Sequence, residues 1–153
     1  MEFKLETLPQ YRLAYVRQTG PYGPGNLQAM GKLKEWAQER QLLTESAILL
    51  GIPQDNPQTT PPENCRYDAC IVIPSDLTLD QPIVGEHVFN GGNYVIYTVK
   101  HTAEDIQQAW HTIPAHLHSS GFILDNRPIV ERYAGDMLLN DYCEICVPVA
   151  DVH

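Results

Sequence analysis

No stretch of this chain approaches the ~18 consecutive apolar residues that a membrane-spanning helix requires. The opening Met1-Glu2-Phe3-Lys4 has no apolar core of the kind a secretory leader needs, so neither secretion nor membrane insertion is expected. Basic residues are also scarce. Ten Lys and Arg stand against nineteen Asp and Glu, for a net charge of −9, and the ten are scattered rather than clustered. Such a surface repels phosphate backbones, so direct nucleic-acid binding is not expected, although mimicry of a polyanion stays open. Glycine-rich phosphate loops and nucleophile elbows are missing too: Gly20 to Gly25 mixes glycine with proline, which does not fit a P-loop. No cofactor is implied.

Cys65, Cys70, Cys143 and Cys146 fit a reduced cytoplasmic protein. Cys143 and Cys146 have C-x-x-C spacing, but the segment from Tyr142 to Pro148 reads as a strand. On a strand, side chains three apart point to opposite faces. Packing thiols are therefore favoured over redox chemistry or a zinc site, for which no second C-x-x-C exists. His111, His116 and His118 lack a carboxylate to complete a ligand set, and surface histidines are the simpler reading.

What the chain has is apolar residues, at 43%, and aromatics with a polar handle: eight Tyr and two Trp against three Phe. Such rings suit a binding cleft. The chain also reads twice. Trp36 and Trp110 lie 74 positions apart, as do Pro74 and Pro148, and Asp68 to Pro74 aligns at that offset with Tyr142 to Pro148. Each half has the order ββαββ. In the first, Phe3 to Leu5 and Tyr11 to Arg17 have strand character, with Leu8-Pro9-Gln10 as a turn between them. A helix follows over 26–41, with Leu27, Met30, Leu33 and Ala37 on one stripe. Strands at Ala47 to Ile52 and Asp68 to Ile73 flank a proline-rich loop.

In the second half, Gly85 to Phe89 and Tyr94 to His101 are expected to form a hairpin around Asn90-Gly91-Gly92. Thr102 caps the next helix, whose stripe is Ile106, Ala109, Trp110, Ile113 and Leu117. Pro114 predicts a kink or two shorter helices, and Gly121 a stop. Strands at Pro128 to Tyr133 and Tyr142 to Val149 complete it. The expectation is one α+β domain over 1–153, halves about 1–76 and 77–153, with a mostly antiparallel sheet, helices on one face and a central cleft.

Pro128-Ile-Val-Glu-Arg-Tyr133 places Ile129, Glu131 and Tyr133 on one strand face. A carboxylate on a buried face could hold a cationic ligand or act as a general base; an exposed face is the simpler reading of this segment alone. Glu144 is a second acidic candidate, with a solvent-facing role favoured. Trp36 and Trp110 suit the core, or a pair of aromatic walls facing each other across the cleft. Tyr22 could edge the same pocket.

The run Thr60-Pro61-Pro62-Glu63-Asn64-Cys65-Arg66-Tyr67-Asp68-Ala69-Cys70, leading to Pro74, closely resembles the signature of GyrI-like domains. Gly91-Gly92-Asn93-Tyr94, Trp110, Glu131-Arg132-Tyr133 and Glu144 to Pro148 resemble it as well, so the resemblance spans nearly the whole chain. It implies the effector-binding domain of AraC-type and MerR-type transcription regulators, also found in stand-alone gyrase inhibitory proteins. The implied fold is a duplicated β-α-β-β unit around a pseudo-twofold cleft. The implied ligands are hydrophobic, often cationic, with Glu131 as the pocket acid; the reading favoured here adds Trp110, Tyr94, Tyr133 and Trp36 as apolar walls. Alternatives are inhibition of DNA gyrase or modulation of a regulator protein, and hydrolysis of cyclopropane-containing toxins with Glu131 as base. A binding module is favoured over an enzyme. The regulators carry a separate helix-turn-helix domain, for which 153 residues leave no room, so sequence-specific DNA binding by this chain alone is not expected.

Overall fold

The computed structural model describes residues 2–79, 84–134 and 142–150, so the last three residues of the second half lie outside the described residues. In chain order the elements are β1 (Phe3–Leu8), β2 (Tyr11–Thr19), α1 (Pro24–Glu39), β3 (Ile48–Pro53), β4 (Arg66–Ile73), β5 (Gly85–Phe89), β6 (Gly92–Lys100), α2 (Ala103–Ser119), β7 (Val130–Ala134) and β8 (Tyr142–Pro148). A single turn of 3-10 helix, Pro62–Asn64, precedes β4. All eight strands join one antiparallel sheet in the order β1-β6-β8-β7-β3-β4-β2-β5. Exchanging each strand for its counterpart in the other half reverses this order onto itself. The pseudo-twofold axis therefore passes between β3 and β7, as the 74-residue repeat predicts.

The expected β5–β6 hairpin does not form. β5 pairs with β2 at one edge of the sheet, and β6 pairs with β1 and β8 near the other. Each half thus lends its first strand to the other half. Asn90-Gly91 crosses between the ends of a strongly curled sheet, alongside the matching link from β1 to β2. The crossing is tight: Gly91 has φ +73, and a Cβ there would overlap the carbonyl oxygen of Leu8 and lie 2.6 Å from that of Pro9. Only glycine fits both demands. The turn chemistry was legible, but it serves a crossover.

The curl closes one sheet face on itself around Leu13, Leu50, Ile52, Phe89, Tyr94 and Ile96. The two helices cover the other face, α1 over β2 and β4 through Ala29, Met30, Leu33, Trp36 and Ala37, and α2 over β6 and β8 through Ala109, Ile113 and Leu117. α1 starts on Pro24, whose missing N–H has no partner to lose at a first helical position. α2 is capped by the Thr102 side chain, which accepts from the Asp105 N–H at 3.1 Å. It runs through Pro114 as one helix rather than two, because burial of Ala109, Ile113 and Leu117 on both sides of the proline holds the segments in line. Among the described residues no helix is long and apolar enough to cross a membrane.

Cys143 packs on the helix-covered face and Cys146 on the closed face, and all four thiols are free and buried. Burial, reinforced by the charge of Glu131, pushes the Cys143 thiol from 9.0 up to about 12. Burial pushes Cys146 up to about 12 as well. A thiol held neutral in the fold but free to ionise when unfolded stabilises the fold fully below pH 9. That contribution is lost as pH rises through 12. The urea midpoint should therefore fall steadily from pH 9 upward, and a thiol-specific chromogen should label the cysteines only as the chain unfolds. Rapid labelling of the folded protein would contradict this.

Candidate functional site

β7 lies beside the pseudo-twofold axis, and its alternation decides what the cleft contains. Val130 and Arg132 turn to the closed face; Glu131 and Tyr133 turn to the face between the helices, opposite Gly51 and Leu49 of β3. There they line a cavity of about 340 Å³ with Tyr67 of β4, His101 at the end of β6, and Asn26, Leu27, Met30 and Lys34 of α1.

The Tyr133 hydroxyl donates to Glu131 Oε2 at 2.6 Å and lies 3.2 Å from His101 Nε2, whose ring meets the Tyr133 ring at 64°. Burial, then the neighbouring Glu131 charge, drives the Tyr133 phenol well above its ordinary range, and the same two causes act on Tyr67. Both rings therefore stay neutral, and Tyr133 can serve Glu131 only as a hydrogen-bond donor. Tyr67 reaches the site because Gly51 has no side chain: a Cβ there would overlap its hydroxyl. Among the described residues no Lys or Arg forms an ion pair with Glu131, and Lys34 lines the cavity without reaching it. Asn26 adds a buried Oδ1 without a hydrogen-bond partner. The arrangement is a carboxylate with no counter-cation among the described residues, set among aromatic rings and a thioether.

Of the candidate binding residues read from the sequence, Glu131 and Tyr133 meet here. The others lie elsewhere. The two tryptophans do not face each other across the cleft. Trp36 is buried beneath α1 under the Arg40 guanidinium, and Trp110 packs with the α2 cluster. Their 74-residue spacing does not mark equivalent places: the buried stripes Ala29, Leu33, Ala37 and Ala109, Ile113, Leu117 match 80 apart, which sets Trp36 against His116 and Trp110 against Met30. Tyr94 belongs to the closed face, between Phe89 and the Arg127 guanidinium, where it lines a separate cavity of about 190 Å³. The Tyr22 hydroxyl sits 3.0 Å from the Asp55 carbonyl oxygen and 2.9 Å from that of Arg66, tying down the loop after β3. Glu144 is not solvent-facing: it is 2% exposed on the closed face, bound to Arg132 at 2.9 Å and within 3.5 Å of Lys4. Leu27, placed on the core stripe from its spacing, is 69% exposed at the cavity. Sequence reasoning missed Tyr67, His101, Met30 and Asn26. Tyr67 lies within the Thr60 to Cys70 run, whose pattern carries the family resemblance without showing which of its side chains face a pocket.

The sequence pattern of the GyrI-like small molecule binding domain matches residues 1–150. A SPbeta prophage-derived protein of Bacillus subtilis (strain 168), named as the transcriptional regulator YosT, is 38% identical over 97% of this chain and 99% of its own length. A DNA gyrase inhibitor of Pantoea sp. (strain At-9b) is 29% identical over 92% of this chain and 95% of its own. Among solved structures, the EcmrR C-terminal domain superposes with a TM-score of 0.72 at 16% identity, over 99% of this chain and 98% of that one. SAV2435 bound to tetraphenylphosphonium gives 0.58 at 15% identity, over 98% and 94%. With a duplicated sheet, a cavity at its seam and a family match running through both halves, this chain belongs to the GyrI-like small-molecule-binding domain family.

Proposed function

We propose that the chain binds a hydrophobic organic cation in the cavity between α1 and the centre of the sheet, without chemical turnover. The carrying observation is Glu131: a half-buried carboxylate with one hydrogen bond, from Tyr133, and no cationic partner among the described residues. A bound cation supplies the missing charge, while Tyr67, Tyr133, Met30 and Leu27 supply ring faces and apolar contact. The tetraphenylphosphonium held by SAV2435, which shares the fold, supports this ligand class.

A charge pair about 5 Å apart in a partly buried site is worth about 3 kcal/mol at an effective dielectric near 20, before desolvation is subtracted. Glu131→Gln keeps the shape and removes the charge. Titration calorimetry with tetraphenylphosphonium should show the dissociation constant rising roughly 10- to 100-fold, at about 1.4 kcal/mol per decade. Triphenylphosphine oxide, neutral and of similar bulk, should change by less than about threefold on the same scale. Equal losses for the two probes would sink the reading.

A further inference from the structure

We propose that the free edge of β1 is a self-association surface, joining two copies of this chain through an antiparallel, twofold-related pair of β1 strands centred on Leu5. β1 and β5 are the two edges of the sheet, exchanged by the pseudo-twofold axis, yet they are finished differently. On the helix-covered side of β5, the exposed Val88, at 50%, stands beside Glu86, which is paired to Arg12 of β2, a charged finish of the kind that discourages edge pairing. On the same side of β1 stand Phe3 and Leu5, at 43% and 60% exposed, with Phe3 against His116 at 4.5 Å. On the other side stand Lys4 and Glu6, opposite in sign and flanking Leu5.

That spacing makes β1 complementary to its own antiparallel image. With Leu5 opposite Leu5 of the second copy, Lys4 of each copy faces Glu6 of the other, and Phe3 faces Thr7. Sliding by two residues one way sets Lys4 against Lys4, and the other way Glu6 against Glu6. Like charges directly opposite destabilise a strand pair, so one register is selected. The edge also escapes the repulsion expected of two chains at −9 each. Lys4 and Arg132 balance Glu6 and Glu144 in one linked set, with Lys4–Glu144 at 3.5 Å and Arg132–Glu6 at 3.1 Å. The closed symmetry of the pairing limits assembly to a dimer, whereas β1-to-β5 contact would propagate.

Sedimentation velocity of the full chain over roughly a hundredfold range of concentration should show the mass doubling and stopping there. Lys4→Glu and Glu6→Lys each set like charges across the axis and should each weaken association by on the order of tenfold or more. Mixed in equal amounts, the two variants regain both opposite-charge pairs and should form a heterodimer. Leu5→Lys leaves the ion set untouched, alters an exposed side chain, and should also give monomers, with circular dichroism confirming the fold of every variant. A wild-type chain that stays at single mass throughout, a Leu5→Lys variant that still dimerises, a mixture that fails to recover, or growth past two copies would each overturn the proposal.

Discussion

Arg132→Met should destabilise the fold by about 3–5 kcal/mol, the cost of leaving a buried carboxylate without its partner. Glu144 is 2% exposed and Arg132 9%, so water does not reach the acid to replace the guanidinium. Arg132 Nε donates to Glu144 at 2.9 Å and Nη1 to Glu6 at 3.1 Å, binding β7 to β8 and to the far edge strand β1. The other cation within reach, Lys4, is 55% exposed and sits at 3.5 Å, too solvated to compensate. With denaturant slopes of about 1–3 kcal/mol/M for urea, the midpoint should fall by roughly 1–5 M. Arg132→Met with Glu144→Met removes both charges and should recover most of the loss, since apolar residues often replace a buried pair at little cost. A single variant within about 1 kcal/mol of wild type would mean that Glu144 is hydrated after all.

The same strand shows what one-dimensional reading can and cannot reach. Alternation places Glu131 and Tyr133 together and Arg132 on the reverse, and the structure keeps that division, because a period of two is local. Which face is the cleft depends on what lies across the sheet, and that is set by β3 and α1, some eighty and a hundred residues away. The burial of Glu144 is hidden from the sequence for the same reason. Its burial follows from Arg132 and Lys4, which share its face only once β1 has crossed into the other half. The duplication was legible because Pro74 and Pro148 close matching strands, β4 and β8, at the same 74-residue offset; the indoles share that offset by coincidence, since the helix stripes match 80 apart. The strand exchange was not, because Asn90-Gly91-Gly92 favours positive φ whether it closes a hairpin or carries a crossover, and φ is indeed positive at both glycines. His101 escaped notice as an ordinary strand-end residue. Its position against Tyr133 exists only after β6 and β7 are assembled into one sheet.

Gly51→Ala should destabilise the fold by about 1–3 kcal/mol as overpacking and also weaken cation binding, although alanine is the better strand residue by roughly 0.5–1 kcal/mol. The added methyl would overlap the Tyr67 hydroxyl and stand 3.0 Å from Cζ and 3.3 Å from Cε2. Tyr67 is buried, with little free volume to retreat into except the cavity it lines. A ring driven into that space narrows the site beside Glu131, so the tetraphenylphosphonium dissociation constant should rise about tenfold, equivalent to 1.4 kcal/mol. Tyr67→Phe removes the atom in worst conflict. In the Gly51→Ala background it should therefore restore part of the stability, giving a coupling energy of about 1 kcal/mol or more in a double-mutant cycle followed by urea unfolding. No coupling would show that the methyl is accommodated by backbone movement of β3 instead, and that Gly51 does not set the position of Tyr67.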